Sequence, residues 1–253
     1  MTIPAPRPWG RYEELRPDQL DRLVAASPIA FWPLGLLEHH SWHLPIGFDG
    51  LKADRICQRV AAGAGGVVLP TMWWGGGGGH GPFRWTHYQD ESNGGAVVAT
   101  TVTQLLRHGF RAVVLLAGHY PWQATLDQVM PPLRHQYPDA LLLWGTEMSI
   151  AADSLDLAGD HAALEETSYG LALLPELVDL DELRPGRGAE AWPPAGPPAE
   201  SSRHPGVEHD PNEPLFAQLG ADPREATASR GEEALTPLVE HLTQRLLEHL
   251  EGA

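Results

Sequence analysis

The chain has 253 residues, a formal net charge of −16, thirteen histidines and a single cysteine. That length suits one large α/β domain or two small ones with an ample core, and the acidic balance argues against a phosphate-backbone partner, which depends on clustered lysine and arginine. The lone Cys57 excludes an internal disulfide framework and any thiolate zinc cluster, while 27 glycines and 24 prolines, roughly a fifth of the residues against a usual share of about 12%, predict many loops.

The opening MTIPAPRPWG lacks the apolar stretch of a secretory signal. No apolar run nears the roughly 20 residues that span a membrane, so a soluble cytoplasmic protein is expected. Residues 17–26 read as a helix, with Pro17 in its first turn and Leu20, Leu23 and Val24 on one face. The continuous apolar run 29–37 suits a buried strand and ends at Glu38. A helix is predicted over 51–62, then a strand from Gly66 that runs into five glycines, Gly75–Gly79. Residues 96–108 read as a helix closed by Gly109. The clearest strand is 110–117, followed by Gly118-His119-Tyr120, a helix from Pro121 to about 136, and a fourth strand at 140–145. From 184 to 223 the chain is dense in proline, glycine and polar residues and reads as a long loop or an arm toward a neighbouring subunit. A helix from about 232 to 250 closes the chain, with Pro237 in its first turn or kinking it. Strands alternating with helices predict a mainly parallel sheet.

Ligands of a parallel sheet collect beyond the carboxyl ends of its strands, and the polar residues expected there are histidines and carboxylates. The first strand delivers Glu38, His39, His40 and His43, with Asp49 close behind; the second delivers His80; the third, His119; the fourth, Glu147, then Asp160, His161, Glu165 and Glu166. Glu38 and His40, two apart, project from one face if the strand persists, and His39 from the other. Imidazole and carboxylate ligands without sulfur suit Zn²⁺, Mn²⁺ or Fe²⁺. An aspartate such as Asp49 is the type of group that bridges two ions, and two such ions would deprotonate a water and polarise a carbonyl, which is hydrolytic chemistry. A lone E-x-H is commonplace, and polar residues at strand ends are ordinary in wet loops; it is the convergence of Glu38, His40, Asp49, His119 and His161/Glu166 that points to a metal hydrolase. The glycine run is not followed by Lys-Ser/Thr, so it reads as a pocket wall rather than a P-loop. Asp90 and Glu91 read as a solvated turn, and His204 and His209 as surface residues.

Four blocks, in order, resemble the signatures of the creatininase family: PLGLLEHHSWHLPIGFD (33–49), GFRAVVLLAGHY (109–120), GDHAALEETSYGLALLPELVD (159–179) and GADPREATASRGEE (220–233). The resemblance implies one three-layer α/β/α domain over residues 1–253, a dinuclear centre of Zn, Mn or Fe, a homohexamer, and metal-assisted cleavage of a C–N bond in a small cyclic or linear amide. It places one ion on Glu38, Asp49 and His119 and the other on His40 and Asp49. It makes His161 the proton shuttle and Tyr120 a substrate contact, with His80 and Trp122 as further substrate-binding candidates and His43 as a support.

The departures are specific. Where the family's creatinine-cleaving member carries a glutamate ligand two residues after the histidine, this chain has Pro121, which leaves Glu166 as the carboxylate for the second ion, or else a general base. The family's Asn before Gly-His is Ala117, its tryptophan four residues before the shuttle histidine is Leu157, and its H-x-x-F-P-G-T segment gives way to the glycine run. Creatinine itself is therefore not the expected substrate. A lactonase, an isomerase or dehydratase, or a non-catalytic scaffold are the alternative readings.

Overall fold

The computed structural model describes residues 7–252; the opening segment 1–6, read above for a leader, lies outside them. Five strands form one parallel sheet: β1 (Trp9–Arg11), β2 (Ile29–Leu34), β3 (Gly66–Val68), β4 (Ala112–Ala117) and β5 (Leu141–Thr146), in the order β1-β3-β2-β4-β5. The helices are α1 (Pro17–Ala26), α2 (Phe48–Ala64), α3 (Glu91–Arg107), α4 (Trp122–Gln136), α5 (Leu164–Leu173) and α6 (Ala228–Glu251).

β2 and β4 are apolar at every position because both of their faces are covered. Ile29 and Phe31 join Ala112, Val114 and Leu116 against α2, α5 and α6. Ala30, Trp32 and Leu34 join Val113, Leu115 and Ala117 against α3 and α4. Each such side chain taken from water contributes about 1.5–3 kcal/mol, and the result is the expected α/β/α sandwich. Among the described residues, no helix is long and apolar enough to cross a membrane.

The connections set the site. From β2 the chain turns through α2 to β3 on one side, and from β4 through α4 to β5 on the other. The crevice between the ends of β2 and β4 is thus a topological switch point, where α/β sheets bind their ligands.

Several elements differ from the sequence expectation. β2 stops at Leu34, so Glu38 and His40 sit in the loop beyond it rather than on a strand face. β3 is three residues long. α3 starts at Glu91, capped by the Asp90 side chain, which accepts from Ser92 N–H at 2.8 Å; of the two residues taken for a solvated turn, Asp90 is the N-cap and Glu91 the first residue of the helix. α6 starts at Ala228 under a Thr227 cap, which leaves Pro237 inside the helix. The 184–223 segment folds back on its own chain instead of projecting. Its Trp192, Val207 and Phe216 make a small core with Phe83 and Trp42.

Candidate metal centre and active site

α2 begins with Asp49 in its first turn, wedged between β2 and β4. Two glycines permit this approach. A Cβ on Gly118 would overlap the Asp49 carbonyl, and one on Gly35 would strike the backbone of Gly50. Asp49 is thereby delivered, 2% exposed, to the switch-point crevice.

Around it the side chains fall into two matched sets. On one side His119 Nδ1 lies 2.9 Å from Glu38 Oε2 and 3.3 Å from Asp49 Oδ2. On the other, His40 Nε2 lies 3.0 Å from Asp49 Oδ1 and 3.6 Å from Glu166 Oε2. All five residues are buried. Each imidazole has its far nitrogen fixed by a backbone carbonyl, which can only accept. His40 Nδ1–H donates to Glu38 O at 3.1 Å, and His119 Nε2–H to the carbonyls of Gly76 and Gly77, both at 3.2 Å. The near nitrogens, which face the carboxylates, are therefore the ones that exchange a proton for a metal ion, an arrangement that suits ligation. Asp49 Oδ2 is buried without a well-aligned hydrogen bond. Two nitrogen–oxygen–oxygen sets that share one aspartate, with no sulfur, fit two divalent ions of the zinc or manganese type.

The electrostatics call for cations at the same place. Burial pushes the His40 imidazole down, yet Asp49, Glu166 and Glu38 together raise it to about 9. His119 is likewise depressed by burial and carried well above its ordinary value by Glu38 and Asp49. Burial raises Asp49, and the two histidines bring it well below the usual carboxylate range.

His161 follows β5 on the chain's path to α5. Its Nε2–H donates to His39 O at 2.9 Å, its ring stacks on His80 with centroids 3.6 Å apart, and the His40 ring is 4.4 Å away. Burial, then His80 and His40, push its pKa well below 6.5, so it is neutral with a free Nδ1. His80 donates from Nε2 to Ala217 O at 3.0 Å and turns Nδ1 toward Glu38, 3.6 Å away. His43 pairs with Thr167 Oγ1 at 2.7 Å, away from the ligand sets. Asp160, raised to about 6 mainly by burial and by Glu166, accepts the backbone N–H groups of Glu165 and Glu166 at the start of α5.

A cavity of about 290 Å³ opens over these groups. Gly78, Gly79, Tyr120, Pro121, Met148 and Asp160 line it, and Leu219 and His204 of the 184–223 segment close it. His204 is exposed, as expected, and stands at the pocket mouth of its own chain. Trp122, expected to bind substrate, does not line this cavity. It is the first residue of α4, its Nε1–H donates to Gly35 O at 3.0 Å, and its ring packs on Gly94 beneath the glycine run. Tyr120 lines the cavity, but its hydroxyl donates to Glu147 Oε1 at 2.9 Å.

Lys52 escaped the sequence reading. It is fully buried one turn beyond Asp49 and donates to Glu147 and Glu166. Its spacing hints only at burial, since residue 52 shares one helix face with Ile56 and Val60; nothing in the sequence points to its partners.

Comparison with known proteins places the chain. The creatininase family (creatinine amidohydrolase) matches residues 13–246. A creatinine amidohydrolase of Pseudomonas putida is 27% identical over 211 residues, covering 69% of this chain and 73% of that one. A solved manganese creatininase superposes with a TM-score of 0.70 at 25% identity, over 94% of this chain and 97% of its own. A mutant creatininase of Zn–Zn type gives 0.69 at 25%, with the same coverage. With the match running through all the elements that build the crevice, the chain belongs to the creatininase family.

Proposed function

We propose that this protein hydrolyses a C–N bond of a small cyclic or linear amide with two divalent ions. Glu38, Asp49 and His119 would hold one ion, and His40, Asp49 and Glu166 the other. The observation that carries this reading is the pair of ligand sets sharing Asp49, each with its imidazole locked in the ligating tautomer. Divalent ions bound there supply Lewis acidity toward a carbonyl oxygen and acidify water.

The chain's own groups do the rest. His161, anchored through Nε2–H, accepts the proton of the attacking water at Nδ1 and returns it to the departing nitrogen. His80 keeps that ring in place by stacking. Both oxygens of Glu166 are engaged, one by Lys52 and one by the Ala162 N–H and the cage, which favours the ligand role over the shuttle role for this residue. The cavity, at the small end of ligand sites, accepts a compact substrate against Tyr120, Met148 and Leu219. Pro121 and Leu157, where the creatinine-cleaving member carries a glutamate and a tryptophan, favour an amide other than creatinine.

The test is a panel of cyclic and linear amides, with lactones of equal ring size alongside, assayed by product mass. Amide turnover that chelator abolishes and Zn²⁺ or Mn²⁺ restores is expected. Turnover of lactones alone, or amide turnover indifferent to chelator, would refute the proposal. The same reading carries a cytoplasmic homohexamer, for which exposed Trp74 and Trp85 supply apolar surface; light scattering checks the assembly.

A further inference from the structure

Lys52 is 0% exposed, and its ammonium donates to Glu147 Oε1 and Glu166 Oε1, each at 2.8 Å. It sits 4.8 Å from the centre of the Tyr120 ring, with Phe48 and Tyr169 at 5.5 and 5.9 Å. A buried ammonium is strongly disfavoured by desolvation unless it is paired and hydrogen-bonded, so these partners are what keep it there. The two glutamates use it differently. Glu147 takes Lys52 and the Tyr120 hydroxyl on the same oxygen, and its Oε2 is buried without a partner. Glu166 divides its oxygens: Oε1 goes to Lys52, while Oε2 accepts from Ala162 N–H at 2.9 Å and faces His40 Nε2 at 3.6 Å.

We infer that Lys52 is the positioning residue of the His40-side ion: it holds Glu166 by one oxygen so that the other completes the set with His40 Nε2 and Asp49 Oδ1. Glu147 is the counter-charge that keeps the ammonium in this position. The inference rests on the dinuclear reading above.

Charge and positioning predict opposite signs. Taking a cation away from the cage leaves it more negative, and by Coulomb's law alone this tightens every divalent ion nearby. Releasing Glu166 from its anchor lets the carboxylate turn, and loosens the His40-side ion only. The loss of a group that orients a ligand lowers metal affinity by about 10–100-fold.

Two variants separate the effects. Lys52→Met removes the anchor; Lys52→Met with Glu147→Gln removes it while keeping the net charge of the buried trio. Each is stripped with chelator, titrated with Zn²⁺ against a competing indicator, and checked by circular dichroism. The same titrations in a His119→Ala background assign the affected ion. The native chain is expected to bind two ions. The charge-matched double variant should keep the His119-side affinity within about twofold, Lys52→Met should keep or tighten it, and both should lose about 10–100-fold on the His40 side. Should Lys52→Met fail to fold, the charge-matched double variant carries the test. Equal or tighter binding at the His40 side overturns the assignment of Lys52 alone. A native chain that binds a single ion overturns the dinuclear reading, and this inference with it.

Discussion

Stripping the metal should make the protein's stability fall as pH rises from 6.5 to 8.5. The Asp49, Glu166 and Glu38 carboxylates outweigh burial and raise His40 from 6.5 to about 9, whereas in the unfolded chain it releases its proton near 6.5. Between these values the folded state holds a proton that the unfolded state lacks. Stability is therefore complete below pH 6.5 and declines by about 1.4 kcal/mol per pH unit until it is lost through pH 9. For His40 alone the whole contribution is about 3 kcal/mol, or roughly 6–12 °C of Tm in a chain of this size. His119, shifted the same way, adds to the slope. The histidines held low by burial, His39 at about 4 and His43 and His80 at about 3, stop contributing to the slope by pH 6.5. The thiol of Cys57, pushed up by burial, enters only above the window. Metal-loaded protein is the control, because ions there replace the imidazole protons. Urea denaturation at a series of pH values, with chelator and with Zn²⁺, reads the difference. Parallel stability curves for the two forms would refute the argument.

Three substitutions probe other parts of the molecule. His119→Ala should leave one ion per chain by mass spectrometry and slow hydrolysis at least about 100-fold, since Lewis-acid stabilisation is worth several kcal/mol. Gly118→Ala places a methyl group on the Asp49 carbonyl; it should cost about 1–3 kcal/mol in denaturation and lower metal content together with stability. Phe216→Ala hollows the small core of the 184–223 segment, where Phe216 is 0% exposed. Up to about 3–5 kcal/mol is lost locally, so limited proteolysis should cut this segment first and KM should rise before metal content changes.

The α/β class and the two central strands were legible because uninterrupted apolar runs such as 112–117 suit only strands covered on both sides. Boundaries were less so. α2 was expected from 51, but it starts at Phe48 behind Gly47, whose lack of a capping side chain gives no start signal; this hid the fact that Asp49 is presented by a helix. α3 was expected from 96, where its apolar spacing begins, but it starts at Glu91, and Gly94 in its first turn supplies the clearance for the Trp122 ring. β1, a three-residue edge strand paired only with β3, has no periodicity to read. In the site, the histidines and carboxylates at strand ends were legible by type and spacing. Lys52 was not, because a lysine in a helix is by default solvated, and only the other elements reveal that this one has two glutamates waiting. Trp122 was misread through proximity: it follows Tyr120 by two residues, but the start of α4 turns it into the layer beneath the cavity.

The return of the 184–223 segment has a bearing on how this enzyme could change its diet. Leu219 and His161 exchange backbone hydrogen bonds in both directions, at 2.9 and 3.0 Å, as an isolated antiparallel bridge. His161, the proposed shuttle, is thus moored to the last few residues of the segment and not to the stretch that precedes them. Everything from the exposed turn at Gly186 to the pocket mouth at His204 is upstream of that mooring. The mostly exposed run between Trp192 and His204 lies outside both that mooring and the small core, so it is the part of the segment where a change of length or sequence would reshape the pocket mouth with least effect on the groups beneath.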